Sequence, residues 1–205
     1  MKKIKNILFA VVVAPIFLWL FIHPGKVLSE WKNIPSYFSS NIHSLTSTDK
    51  LSKINEERWN AFGSEREDLL SKVYYNKGTA LMDDLFSALS YLSPRIYFQS
   101  GEGSSLSPPR IEPIAIPLFL FWILGLVDLL RNKKFKPILL ALLFALTTYI
   151  FGQRNMAFLF PIAIIYLFIS LRGIEVIKST KFRKTIYISL FVYGLYLLGR
   201  VFLLK

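Results

Sequence analysis

The chain has 205 residues, of which 53% are hydrophobic and 16% aromatic, with a mean hydropathy of +0.44 and a formal net charge of +12. That apolar content is beyond what a water-soluble domain carries. With no cysteine and only two histidines, disulfides, thiolate metal sites and cysteine nucleophiles are excluded, and little remains for histidine-based metal chemistry.

The positive charge is not spread evenly. Residues 24–113 hold ten basic and eleven acidic side chains and are close to neutral. The excess sits in three clusters beside apolar runs: Lys2, Lys3 and Lys5; Arg131, Lys133, Lys134 and Lys136; and Arg172, Lys178, Lys181, Arg183 and Lys184. Short basic loops of this kind stay on the cytoplasmic side of a membrane. A nucleic-acid partner is not indicated, because the clusters share no surface away from the membrane boundary.

Taken in order, the chain opens with an apolar run over residues 7–22 behind a basic start. The run is longer than the core of a signal peptide and reaches His23-Pro24 without an A-x-A site, so it reads as a retained span, although a cleavage site at Val27-Leu28-Ser29 is conceivable. Lys2, Lys3 and Lys5 then hold the N-terminus inside. Residues 24–113 follow, too charged for lipid and patterned as a small helical segment. A helix is expected over residues 49–59, stopped by Gly63, and a second from a Ser64-x-x-Glu67 capping box to Tyr75. A third, capped by Thr79, carries Leu81, Leu85 and Leu89 on one face and ends before Pro94. Leu89, Tyr91, Leu92, Ile96, Tyr97 and Phe98 form an apolar patch expected to rest on the membrane interface.

Three apolar runs then crowd into residues 114–171. Residues 114–130 carry one charge, Asp128, while residues 137–151 and 156–171 carry none. Each is near the ~20 residues a helix needs to cross ~30 Å of hydrocarbon. A last run covers residues 185–203. The fold class expected is all-α, a multi-pass helical membrane protein with about five transmembrane helices and a small extracytoplasmic helical segment. Its parts are a transmembrane helix (1–23), an extracytoplasmic segment (24–113) and a four-helix transmembrane domain (114–205). All three basic clusters fall on the cytoplasmic side of this N-in, C-out arrangement.

Polar residues in or beside spans are where membrane chemistry resides. Asp128 reads as an interfacial residue paired with a nearby arginine or lysine, and Arg200 as one whose stem snorkels to the surface. Arg95, Arg110 and Arg154 all fall near the extracytoplasmic boundary, where guanidinium forks suit lipid-phosphate binding, against the plainer reading of contact with ordinary headgroups. Asp83, Asp84 and Glu102 are the carboxylates placed to act as acid, base or metal ligand there. Successive helical residues point about 100° apart, so Asp83 and Asp84 need not converge. Glu56, Glu57, Glu65, Glu67 and Asp68 read as solvated helix faces. His23 and His43 have no partner at metal-ligand spacing, no cofactor signature is present, and nothing in the sequence calls for a divalent metal. Too few polar residues lie in the spans to line a transport path.

Three segments carry a family resemblance: Lys72-Val-Tyr-Tyr-Asn-Lys77, Tyr91-Leu-Ser-Pro-Arg-Ile-Tyr-Phe98 and Ser100-Gly-Glu-Gly103. With the span over residues 117–126 and Gln153-Arg-Asn-Met-Ala-Phe-Leu-Phe-Pro161, they resemble the C-terminal part of GT-C type multi-span membrane glycosyltransferases, relatives of protein mannosyltransferases. The resemblance implies an extracytoplasmic site taking a sugar from a polyprenyl-phosphate carrier, with Arg95, Arg110 and Arg154 as phosphate contacts. Such enzymes usually have more spans and an acidic residue in a first outer loop, and that half has no counterpart here. Two further roles therefore stand beside catalysis: part of a split enzyme working with a second multi-span chain, and a non-catalytic membrane subunit whose outer segment docks a partner protein.

Overall fold

In the computed structural model, residues 2–45, 48–63, 69, 71, 77–108 and 110–203 are described, and every regular element among them is helical. The first apolar run is not one rod. Helix α1 (Lys2–Val13) and helix α2 (Pro15–Ile22) are separated at Ala14, whose backbone leaves the helical region because Pro15 follows it. The break is filled from elsewhere in the chain: the Ala115 N–H donates to Val13 O at 2.9 Å and the Ile16 N–H to Pro113 O at 3.2 Å. Residues 113–115 thus satisfy backbone groups that a proline break exposes, which lipid could not do.

Helix α3 (Pro24–Lys32), helix α4 (Ile34–Leu45) and helix α5 (Thr48–Phe62) lead away from this point. The expected helix over 49–59 lies inside α5, and Gly63 follows it in the left-handed region at φ +52°, where a residue with a Cβ is disfavoured. The Ser64-x-x-Glu67 box, the helix to Tyr75, and Glu65, Glu67 and Asp68 lie outside the described residues. Helix α6 (Lys77–Leu89) is present, but it begins before Thr79, which is therefore within it rather than its cap, and its leucine stripe turns outward. Asp84 and Ala88 are buried, whereas Leu81, Met82, Leu85 and Phe86 are exposed, Leu81 by 68% and Phe86 by 63%. The Leu81 and Leu85 stripe does not enter the core because the inward position goes to a carboxylate with specific partners. The expected interfacial patch is likewise corrected: Ile96, Tyr97 and Phe98 are buried in the protein core, with Tyr91 and Leu92 packed against it.

Helix α7 (Leu118–Arg131), helix α8 (Lys136–Phe151), helix α9 (Met156–Val176) and helix α10 (Thr180–Leu203) complete the chain. α9 is the axis of the molecule, with eleven residues buried along it. Its contact with α7 is backbone to backbone. A Cβ on Gly173 would stand 1.8 Å from Phe121 O, and one on Gly125 1.9 Å from Ile169 O, so only glycine permits this approach. Gly194 of α10 does the same against Val12 O of α1, at 2.5 Å. Inside α9, Pro161 has no N–H to offer the Ala157 carbonyl one turn earlier, and the indole Nε1–H of Trp31 donates to that oxygen instead, at 3.3 Å.

α9, with 21 residues, and α10, with 24, are each long and apolar enough to cross a membrane. α7 and α8 hold 14 and 16 residues, roughly 21 and 24 Å at 1.5 Å per residue, against ~30 Å of hydrocarbon. Joined through a 113° bend, they pass the same test only as a pair. The chain is therefore an all-helical, membrane-associated protein with two helices fit to span, or three with the bent pair counted, rather than a clear five. Two causes shorten the list. Pro15 divides the first run, and residues 114–117 leave the second run to dock as loop.

The glycine contact is directly testable. Gly173→Ala should cost about 1–3 kcal/mol, the usual range for overpacking, and lower the melting temperature in detergent. Gly199→Ala, where a Cβ would meet nothing within 4 Å, should be neutral or slightly stabilising. Equal melting of both variants would contradict the close crossing.

Candidate functional site

The turn between α8 and α9 is held by side chains from distant parts of the chain. Asn155, extended at φ −135° and ψ 162°, caps α9: its Oδ1 accepts from the Ala157 N–H at 3.1 Å. Its Nδ2 donates to Glu30 Oε2 at 2.8 Å, and the Tyr37 hydroxyl donates to the same oxygen at 2.8 Å. Glu102 Oε1 accepts the Met156 N–H at 3.0 Å and also the Ser104 hydroxyl. Two carboxylates, Glu30 and Glu102, thus gather at the positive end of a 21-residue helix, where its macrodipole favours them. On the other side of the turn, the Asn41 amide reaches the carbonyls of Tyr149, Ile150 and Gly152 at 2.9 to 3.2 Å, closing the end of α8.

Arg154 sits one residue ahead of this cap with its side chain exposed. It lines an open groove of about 670 Å³ with Asp83, Phe86 and Ser87 of α6, Ser90 and Tyr91 of the following turn, and Tyr149 of α8. Burial pushes the Tyr91 phenol up, and the neighbouring Arg154 charge pulls it partway back. The floor of the groove is fixed by Asp84, which is buried, ion-paired with Lys50 and accepts the Tyr149 hydroxyl at 2.8 Å. The turn carrying Tyr91 is pinned by the Tyr97 hydroxyl, donating to Tyr91 O at 2.6 Å, and by the Tyr166 hydroxyl, donating to Leu92 O. What results is a cation and a carboxylate, both accessible, on a rigid wall with an apolar lip at Phe86. That arrangement can bind an anionic group and present a carboxylate beside it.

The residues singled out in the sequence separate into distinct places. Arg154 and Asp83 share the groove, and Asp84 lies behind it, so the two adjacent carboxylates do point apart. Arg95 lines a different pocket, of about 290 Å³, with Pro94, Phe98 and Phe119 among its neighbours. Arg110 lines a third, of about 340 Å³, with Lys26 and a serine-rich loop. The three arginines do not form one site. Glu102 is occupied as a helix cap, with Oε1 doubly bonded and Oε2 buried without a partner. Among the described residues no three acidic or histidine side chains are grouped as metal ligands.

Asp128 pairs with Arg172, at 2.7 Å, and accepts from Asn132, as its place near a basic cluster suggested. Arg200 donates to Arg110 O at 2.9 Å and lies 6.0 Å from the Tyr196 ring centre, so its fork is spent on the protein rather than simply on the surface. Lys50 and Tyr149 are not singled out by the sequence, and Tyr91 reads there only as part of an apolar interfacial patch. The only signal was a tyrosine two residues from the end of an apolar run, which a general interfacial role explains equally well.

Loss of the Asp84 carboxylate leaves Lys50 and Tyr149 without their partner. Asp84→Asn should destabilise by about 1–3 kcal/mol, the cost of a broken charged hydrogen-bonded pair, and speed proteolysis within residues 77–92. Asp83→Asn should change neither, and melting curves with limited digestion decide it. No protein-family model matches the chain, and no curated protein or solved structure is significantly similar to it.

Proposed function

We propose that the chain is a five-pass membrane protein, N-terminus cytoplasmic, that binds a phosphate-linked lipid in the Arg154 groove at the extracytoplasmic face. In this reading it corresponds to the C-terminal part of a GT-C type glycosyltransferase and handles a polyprenyl-phosphate-linked sugar. The observation that carries it is Arg154 itself: exposed, without a carboxylate partner among the described residues, and set one residue before the capping Asn155 of a helix fit to span a membrane. At that depth a lipid phosphate meets it directly, and a guanidinium is the side chain best matched to phosphate oxygens. Asp83 is the acid or base beside it. Topology has its own support. The Asp128–Arg172 pair joins the ends of α7 and α9, so the basic turns at 132–135 and 177–179 share one end of the bundle, opposite Arg154. The short α7 and α8 then serve as two passes with their lysine-rich turn in the cytoplasm.

Two measurements test this. Purified chain should bind polyprenyl phosphate, and Arg154→Ala should weaken binding about 10- to 100-fold, as expected for a charge-assisted bond worth roughly 1.5–3 kcal/mol. Unchanged affinity would remove the carrier-lipid reading. It would leave the runner-up, a non-catalytic subunit docked through its outer segment, which the outward apolar face of α6 favours. Because the chain has no cysteine, single cysteines report cleanly on sidedness. Lys134→Cys should label only from the cytoplasmic side and Gln153→Cys only from outside. Protection of Lys134→Cys from both sides would instead make α7 and α8 one broken span.

A further inference from the structure

A second cationic cavity lies apart from the Arg154 groove, and its residues come from three separate parts of the chain. Lys26 stands in the first turn of α3, Trp19 on α2, and Ser104, Ser105, Ser107 and Arg110 on the loop that precedes α7. The cavity holds about 340 Å³.

The loop is built to keep this shape. The Trp19 indole donates to Ser105 O at 3.4 Å, and the Arg200 guanidinium clamps Arg110 O from α10. Gly101 stands at φ +63°, where an added Cβ would fall 1.7 Å from Ser107 Oγ. Arg110 is itself left-handed, at φ +56°, a conformation that costs a residue with a Cβ and persists only where its surroundings impose it. The strained backbone keeps a cationic residue in the cavity wall at a position that glycine would occupy more cheaply.

The two cations of the cavity are not ion-paired: no carboxylate pairs with Lys26 or Arg110 among the described residues. The nearest acids in sequence are bonded to other groups: Glu30 to the Tyr37 hydroxyl and the Asn155 amide, Glu112 to the Tyr193 hydroxyl at 3.1 Å, and Glu102 to the Met156 N–H and, at the cavity wall, the Ser104 hydroxyl. Ser107 is only 5% exposed and its hydroxyl has no partner, leaving a buried donor and acceptor unspent. Two cations, serine hydroxyls and an indole wall form a set that suits a phosphate ester carrying a hydroxylated head. The position, just past the end of the first apolar run, is where a bilayer presents such groups.

We propose that Lys26 and Arg110 form an anion site, separate from the Arg154 groove, that holds the phosphate ester of an anionic lipid headgroup. It does not depend on the sugar-carrier reading. The test uses the full chain in nanodiscs, with phosphatidylglycerol in phosphatidylcholine as one probe and inorganic phosphate as the other. Native mass spectrometry should find a phosphatidylglycerol retained by wild type and by Arg154→Ala. Lys26→Gln and Arg110→Gly should each cut retention by about tenfold or more, as loss of one charge-assisted pair implies. Arg110→Gly fits the left-handed backbone and so removes the guanidinium without straining the loop. Inorganic phosphate should not displace the lipid; displacement by millimolar phosphate with the same variant dependence would make the ligand a free phosphate and overturn the headgroup assignment. Equal lipid retention by wild type, Lys26→Gln and Arg110→Gly would overturn the site altogether. Loss of carrier binding in Arg154→Ala with phosphatidylglycerol retained separates the two sites.

Discussion

The N-terminal cap of α9 is the constraint on which the arrangement rests. A helix of 21 residues ends in unsatisfied N–H groups, and here they are met by Asn155 and Glu102, with Glu30 and Tyr37 behind Asn155. These partners lie far apart in sequence. One cap therefore ties α3, α4 and the loop after residue 100 to the central helix, α9. Trp31 repeats the connection one turn deeper, at the carbonyl that Pro161 leaves free. Both candidate sites hang from this node: Arg154 directly precedes the cap, and the serine-rich loop begins at Glu102, which is part of it.

Charge placement and the apolar runs made the helical, membrane-associated character of the chain legible from its residues alone. So was the Asp128 pairing, since a carboxylate beside a basic cluster at a span end has few other options. The orientation of α6 was not legible. Leu81, Leu85 and Leu89 at helical spacing point to a buried stripe only if water lies on the far side, and the Asp84, Lys50 and Tyr149 contacts that decide the matter leave no mark on that spacing. The break at Ala14 could be suspected from Pro15. Its repair by residues 113–115, a hundred positions later, could not.

The arginines show the same division. The topology argument assigns them a common depth, and depth is one coordinate of three. Arg95, Arg110 and Arg154 occupy separate pockets because the loop between residues 101 and 117 carries Arg110 round to α2 and α3, while the turn before α9 sets Arg154 against α6. The course of that loop follows from backbone contacts with α1 and α2 and from left-handed positions at Gly101 and Arg110, none of which has a periodic signature.

The core has a bearing on where this protein can be cut. Ile96, Tyr97, Phe98, Leu106 and Ile111 belong to one continuous apolar cluster with Val13, Ile16, Met156 and Ile162, so the polar middle of the chain does not close upon itself. Excised, it would add to the already exposed α6 stripe the surface it now shares with α1, α2 and α9. It is an amphiphile by construction, and its native shape is a property of the intact polypeptide.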